Sequence, residues 1–457
     1  MVARVATLKA LFEKLWGSAR GTPNRQALTR GSLGTMLVRG SSFLLILVAS
    51  LLLARYLGLR EFGIYSEALA WGSVIAVFGT LGLDRFAVRE VSASAATSSW
   101  SVMRGLIRYL PQFALAFSLL VLLLATSLLF VFRDPEDDEI VTFVVAVTMA
   151  PLMSLSVIRQ GMLQGLGRVV ISCLPEDIIR PGLFILVLIV AFGFFGMDPD
   201  SGLAMGFQAG ALLTSFLVGI YLLRRYVPRE TYESEPMSLS LDHVRDALPI
   251  GLYAMANILL MQAGIVLLGL TSDPSQVALF ATSFKVAVGV GLAEYAINNA
   301  YQPMVSSKLA VGDIASVERL APRAAAASLV LTLPLALVVF VFADPILSLF
   351  GNGFDAAETT LRVLAASYVI SQIFGQNGAL LTMSRNVKPL IGGTVFALAL
   401  NVVLNLTLTP EVGAEGAALA WLITLTAWNL VLGMQVRRHL GFWASPLVLL
   451  GRDKLAR

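Results

Sequence analysis

The sequence predicts an all-α polytopic membrane protein of about twelve transmembrane helices, in two six-helix bundles related by a pseudo-two-fold axis along the membrane normal. Three observations carry this prediction. Of 457 residues, 57% are hydrophobic and only 14% are charged, with a mean hydropathy of +0.80, whereas soluble domains carry about 25% charged residues. Apolar runs long enough to cross a hydrocarbon core of roughly 30 Å as helices recur along the whole chain. Landmarks of the first half also return in order in the second. Phe130-Val-Phe-Arg-Asp-Pro135 returns as Phe340-Val-Phe-Ala-Asp-Pro345, Gln160-Gly-Met-Leu-Gln-Gly-Leu-Gly-Arg168 as Asn377-Gly-Ala-Leu-Leu-Thr-Met-Ser-Arg385, and Arg224-Arg225 as Arg437-Arg438. An even number of spans per half gives both halves the same orientation, which sets the direction of the axis.

Taken in order, segment 1–33 lacks the continuous apolar centre of a cleaved signal and carries Arg4, Lys9, Lys14, Arg20, Arg25 and Arg30. Leu8, Leu11, Phe12, Leu15 and Trp16 fall on one helical face, which predicts an interfacial helix on the cytoplasmic leaflet. The first bundle, 34–223, holds apolar runs at 35–54, 62–83, 109–132, 141–163, 169–195 and 203–223. Its opening hairpin turns through Arg55-Tyr-Leu-Gly-Leu-Arg-Glu-Phe62. The Leu57-Gly58 step there is expected to return as a second turn at Leu268-Gly269. Gly202, Gly206 and Gly210 recur every four residues and predict a helix-packing stripe, matched by Gly416-Ala-Ala-Leu-Ala420. A cytoplasmic linker at 224–245, with Pro228 and Pro236, leads to the second bundle, 246–436. Its runs lie at 248–270, 277–303, 324–350, 360–383, 389–408 and 414–436, followed by a basic tail, 437–457.

Basic residues fall on alternate loops and Asp-Pro pairs on the others, which places both termini in the cytoplasm. The formal net charge of +4 is spread over many loops and not gathered in a patch, so nucleic acid is not an expected partner. Cys173 is the single cysteine, and His243 and His439 lie in polar flanks. No disulfide, metal site or resident cofactor is expected, and neither zinc nor thiol enzyme chemistry is supported.

Function is carried by ionisable groups inside the spans, each costing roughly 2.5 to 3.5 kcal/mol on insertion scales and therefore tending to face a bundle interior or a wet cavity. Arg39, Glu67, Arg89 and Arg362 lie within about two turns of a span end, where anchoring competes with a site role. Asp84 and Arg85 close the second span. Pro175-Glu-Asp-Ile-Ile-Arg-Pro181 places Glu176, Asp177 and Arg180 well inside the fifth. Pro181 removes an amide and predicts a kink suited to a gate, and Glu176 and Arg180 are spaced for an ion pair. Lys285 and Glu294 in the eighth span fall on opposite faces of a straight helix, with Glu294, Asn298 and Tyr301 on one face. Arg180 and Lys285 are the expected substrate-binding cations. Glu294 with Asn298 is the expected coupling element, exchanging H+ or Na+. Gln372, Gln376, Asn401 and Asn405 either line the same cleft or bond helix to helix.

Leu53-Ala-Arg-Tyr-Leu-Gly-Leu-Arg-Glu-Phe-Gly-Ile-Tyr-Ser66 followed by Gly82-Leu-Asp-Arg-Phe-Ala-Val-Arg-Glu90 resembles the opening of the oligosaccharide flippases. That family of O-antigen and exopolysaccharide repeat-unit transporters belongs to the multidrug/oligosaccharidyl-lipid/polysaccharide exporter superfamily. The resemblance implies a V-shaped pair of bundles in the bacterial inner membrane. They move an undecaprenyl-pyrophosphate-linked oligosaccharide by cation-coupled alternating access, with membrane lipids and a polysaccharide polymerase as partners. Of the family's functional positions it carries over only the region of Arg85 and Arg89. A drug antiporter of the same superfamily, expected to show an acidic cleft, is the nearest alternative, and a non-transporting scaffold is the other.

Overall fold

The computed structural model describes residues 23–132, 139–237, 241–384 and 387–449. Nine helices among these residues are long and apolar enough to cross a membrane. Two of the nine hold two spans each. Helix α1 (Pro23–Thr80) folds back at Gly58, with φ 73° and ψ −177°, a backbone region open to glycine and strained for other residues. The last long helix does the same at Gly413. A further helix of 17 residues, Glu358–Phe374, completes twelve spans.

The first lobe contains both spans of α1, then α2 (Leu83–Ala96) and α3 (Trp100–Phe132). Helices α4 (Ile140–Thr148) and α5 (Ala150–Gly165) together make its fourth span. Helices α6 (Val169–Leu174) and α7 (Arg180–Leu188) make the fifth, and α8 (Ser201–Tyr226) the sixth. After short α9 (Arg229–Glu233), the second lobe runs through α10 (Leu241–Thr271), α11 (Pro274–Ala310), α12 (Ile314–Val341) and α13 (Ala343–Ser348). It ends with α14 (Glu358–Phe374), α15 (Asn377–Met383) and α16 (Val387–Leu440). Leucines 119, 120, 123 and 124 of α3 and 331, 333, 335 and 337 of α12 stand exposed on the outside of their lobes. Such faces are stable against lipid and not against water.

The apolar core is single at the Gly58 end and forks at the other. Leu53, Phe62, Phe143 and Phe184 of the first lobe join Phe280, Phe350, Leu361 and Trp421 of the second in one buried cluster. Toward the opposite end, Leu83, Phe86, Met103 and Ile158 form a core of the first lobe alone. Tyr301, Val305, Leu380 and Leu432 form a core of the second. The apolar cores are thus shared at one end and separate at the other, where the lobes still touch backbone to backbone at Gly82 and Gly251, a position only glycine fits.

The seam between them is largely α1 against α10 and α11. At the Gly58 end, backbone meets backbone. A Cβ on Gly63 would lie 1.8 Å from the carbonyl oxygen of Pro274, so only glycine fits. Arg55 donates Nε–H to the Leu349 carbonyl at 2.6 Å, and the Phe62 ring meets Phe354 edge-on with centroids 5.9 Å apart. Further along, Phe43 packs on Gly289 and Glu67 on Gly269.

Four local expectations change. Gly206 and Gly210 are exposed with no neighbour within 4 Å. Their stripe points out of the lobe, whereas Gly416 does meet a backbone, at Leu408. Leu268-Gly269 is no turn but the last part of α10. The turn is Ser272-Asp273, where the Asp273 carboxylate accepts the Ser275 N–H at 2.8 Å and caps α11. Those hydrogen bonds hold its carboxyl below the usual range. Helix α1 continues unbroken through position 33 into the first span, while the interfacial helix expected around Leu8, Leu11, Phe12, Leu15 and Trp16 lies outside the described residues, as do 133–138, 238–240, 385–386 and 450–457. Finally, α8 continues to Tyr226 and the linker after it is docked: Arg104 of α3 donates to the carbonyls of Thr231 and Tyr232.

Candidate functional site

In the first lobe the fifth span does not simply kink at Pro181. It widens into a π-helical turn over Pro175–Ile179, and the amide of Arg180 bonds back to the carbonyl of Pro175. One extra residue in the turn absorbs the amide that Pro181 lacks, an arrangement frequent at functional sites. The turn carries Glu176, Asp177 and Arg180.

Glu176 joins three spans. Its Oε1 accepts from Arg159 Nη2 of α5 at 2.9 Å and from Ser215 Oγ of α8 at 3.3 Å. Its Oε2 stands 3.5 Å from Arg180 Nη1. The side chains are progressively more open, from Arg159 at 4% exposed through Glu176 at 12% to Arg180 at 29%. Arg159, near the end of the apolar run 141–163, is therefore a buried helix residue and not a loop cation. Its guanidinium lies over Gly219, where a Cβ would come within 1.6 Å of Nη1. Its Nε and Nη1 are buried without acceptors, so Glu176 is its charge partner. Asp177 is half-buried, in the field of Arg39 and Arg180. Arg39 is exposed and lies over the Tyr295 ring at 5.5 Å, reaching across the seam to the second lobe.

Lys285 and Glu294 do not meet. Lys285 reaches across the seam to lie 4.9 Å from the Phe62 ring centroid. Glu294 Oε2 accepts from Gln372 Nε2 at 2.7 Å, and Gln372 Oε1 accepts from Ser328 Oγ at 2.7 Å. Asn298 Oδ1, Tyr301 Oη and Gln376 Oε1 are buried without hydrogen-bond partners. Helix α11 is uninterrupted at Gly289 and Gly291, which seat the rings of Phe43 and Tyr368. Asn401 and Asn405 bond each other at 3.0 Å, and Asn401 bonds Thr424 at 3.1 Å. That pair holds the two spans of α16 together.

The other expected residues are spread out. Glu67 is buried at the seam beside Gly269. Arg85 and Arg89 on α2 pair with their neighbours Asp84 at 3.5 Å and Glu90 at 2.8 Å and remain more than half exposed. Burial pushes the Asp84 carboxyl up, and Arg85 beside it pulls back. Arg362 bonds Glu358 at 2.6 Å and the Phe340 carbonyl at 3.2 Å. It ties α14 to α12 at the Gly58 end, apart from the others.

Two six-span lobes, each with a polar network buried between its own helices, fit the class that the family models define: a multi-pass membrane transporter of the multidrug/oligosaccharidyl-lipid/polysaccharide superfamily. The chain belongs to the polysaccharide biosynthesis protein family, whose model matches residues 28–307, more than half of its length. The MatE model also matches, over residues 249–408. The chain is 25% identical over 157 residues to the probable low-salt glycan biosynthesis flippase Agl15 of Haloferax volcanii, a match that spans 34% of this chain and 33% of that protein. Its fold is similar to the inward-facing conformation of a multidrug resistance MATE family transporter, with a TM-score of 0.71 and 15% identity over 89% of this chain and 98% of that one. A transporter of the superfamily from Pyrococcus furiosus, described as having a binding pocket of reverse polarity, gives 0.61 and 17% over 93% and 97%.

Proposed function

We propose that this protein is a flippase that moves an undecaprenyl-pyrophosphate-linked oligosaccharide across the bacterial inner membrane by alternating access, with both termini cytoplasmic. The observation that carries this reading is the order of exposure across the ion network of the first lobe. The carboxylate is turned inward onto Arg159, and the outermost group is the guanidinium of Arg180. Arg39 stands exposed on the neighbouring span, and Lys285 lies on the opposite lobe. An anionic pyrophosphate-sugar head group suits these cations while its lipid tail stays in the bilayer. Glu294, within reach of Gln372 and close in sequence to the unpartnered oxygen of Asn298, is the proposed coupling group for H+ or Na+. A polysaccharide polymerase is the proposed downstream partner.

Deletion of the protein followed by analysis of lipid-linked sugars tests this. Complete repeat units trapped on the cytoplasmic face are the expected result. A normal lipid pool with altered drug tolerance would favour a cation antiporter instead, the reading that the MatE match raises.

A further inference from the structure

We infer that Arg159 is a positioning residue whose task is to take up the charge of Glu176 from inside the lobe, leaving the Arg180 guanidinium free for an anionic ligand, and that Gly219 is part of the same device. The inference rests on the reading of an anionic substrate for its consequence, though not for its geometry.

Spacing alone would pair Glu176 with Arg180, four residues on, and cancel the cation. The structure divides the carboxylate unequally. Oε1 takes a charge-assisted bond at 2.9 Å from Arg159 and a second bond from Ser215, whereas Arg180 stands off at 3.5 Å from Oε2, beyond the 2.7–2.9 Å typical of such bonds. The more buried interaction is also the less screened, so most of the carboxylate's field is spent on Arg159. Arg159 in turn has nowhere else to place its charge, because Nε and Nη1 find no acceptor. Its position is set by the missing side chain at Gly219, where any Cβ would displace the guanidinium from Glu176. Without Arg159 at that distance, the remaining cation for Glu176 is Arg180, and the pair would close.

The test reads the local potential directly. In a full-length chain carrying Cys173→Ala and Arg180→Cys, the rates of modification at position 180 by an anionic and a cationic thiosulfonate are compared. Adding Arg159→Gln exposes the Glu176 charge and should lower the anionic-to-cationic rate ratio by about tenfold, the size expected for one nearby charge partly screened by water. Gly219→Ala should lower it in the same direction, and Arg159→Lys should leave it near the parent ratio. If Arg159→Gln does not fold, the Gly219→Ala ratio decides. An unchanged ratio in the folded variants overturns the inference, because a purely structural Arg159 would alter protein yield and melting and leave the ratio alone. With Arg180 present, binding of a polyprenyl pyrophosphate to the purified chain should weaken in Arg159→Gln and return in Arg159→Gln with Glu176→Gln. A shifted ratio, with binding indifferent to both Arg159→Gln and Arg180→Ala, would keep the charge balance and reject the anionic-substrate reading. Loss of binding in Arg180→Ala with an unchanged ratio would do the reverse.

Discussion

Arg180 and Lys285 reach their positions differently, and substitutions should separate them. Arg180→Ala removes the most open cation of a three-residue network, and Lys285→Ala removes one that also holds Phe62 across the seam. Each should reduce export of the glycan about tenfold or more without lowering the amount of membrane protein, since a hydrogen bond to a charged group contributes about 1.5–3 kcal/mol. The charge network also changes how a double substitution is read. Removing Arg180 together with Glu176 does not leave a neutral lobe but strands Arg159. Breaking a buried pair in this way costs about 3–5 kcal/mol, so Arg180→Ala with Glu176→Ala should lower the yield of folded protein more than Arg180→Ala alone. Glu294→Gln keeps the shape that Gln372 recognises. It should still bind lipid-linked substrate in reconstituted vesicles yet lose the dependence of transport on an imposed pH or Na+ gradient. A parental response would exclude Glu294 from coupling. The Glu176–Arg180 spacing and the absence of a Lys285–Glu294 pair were legible in the sequence. Arg159 was not, because a basic residue near a span end looks like a loop cation until its partner, 17 residues on in another helix, is brought beside it. The buried guanidinium and the facing Gly219 are one tertiary fact split between two unremarkable local ones.

Among the elements, long apolar runs gave the spans because length and the absence of charge suffice for a helix in lipid. Turns were less legible. Leu57-Gly58 is a turn and Leu268-Gly269 is not, since the chain reverses where a capping aspartate and a proline begin the next helix. Pro181 marked the irregular turn of the fifth span, but its π-helical form depends on which carbonyl the Arg180 amide finds. The Asp273 cap yields a prediction with a definite sign. Its carboxyl is held below its ordinary value by the hydrogen bonds from Ser275. The cap therefore stabilises fully above the unfolded value of about 3.9 and weakens as pH falls through the folded one. Asp273→Asn should flatten the fall of melting temperature between about pH 5 and pH 3. Asp273→Ala should cost about 1 kcal/mol at neutral pH, the usual loss for a missing cap.

At the scale of the molecule, the duplication visible in the sequence foretold two lobes but not how they are held, because seam contacts join residues more than two hundred positions apart, such as Phe62 with Phe354. If transport requires the lobes to part at the Gly58 end, then Phe62→Cys with Phe354→Cys in a Cys173→Ala background, bridged by a short cleavable thiol cross-linker, should stop transport. Cleavage should restore it, and undiminished transport in the bridged protein would mean that the lobes move without opening there. The seam is uneven in how it resists motion. Where Gly63 lies on the Pro274 carbonyl, neither lobe offers a side chain to interlock, whereas at Gly269 and Gly289 the side chains of Glu67 and Phe43 fill the gaps. Interdigitated helices must unseat their side chains to change register, so they resist rotation in steps, whereas smooth faces slide with little barrier. Gly63 on Pro274 is thus the smooth point of the joint, while the seated side chains of Phe43 and Glu67 and the Phe62–Phe354 contact are teeth that must disengage together before one lobe can turn against the other.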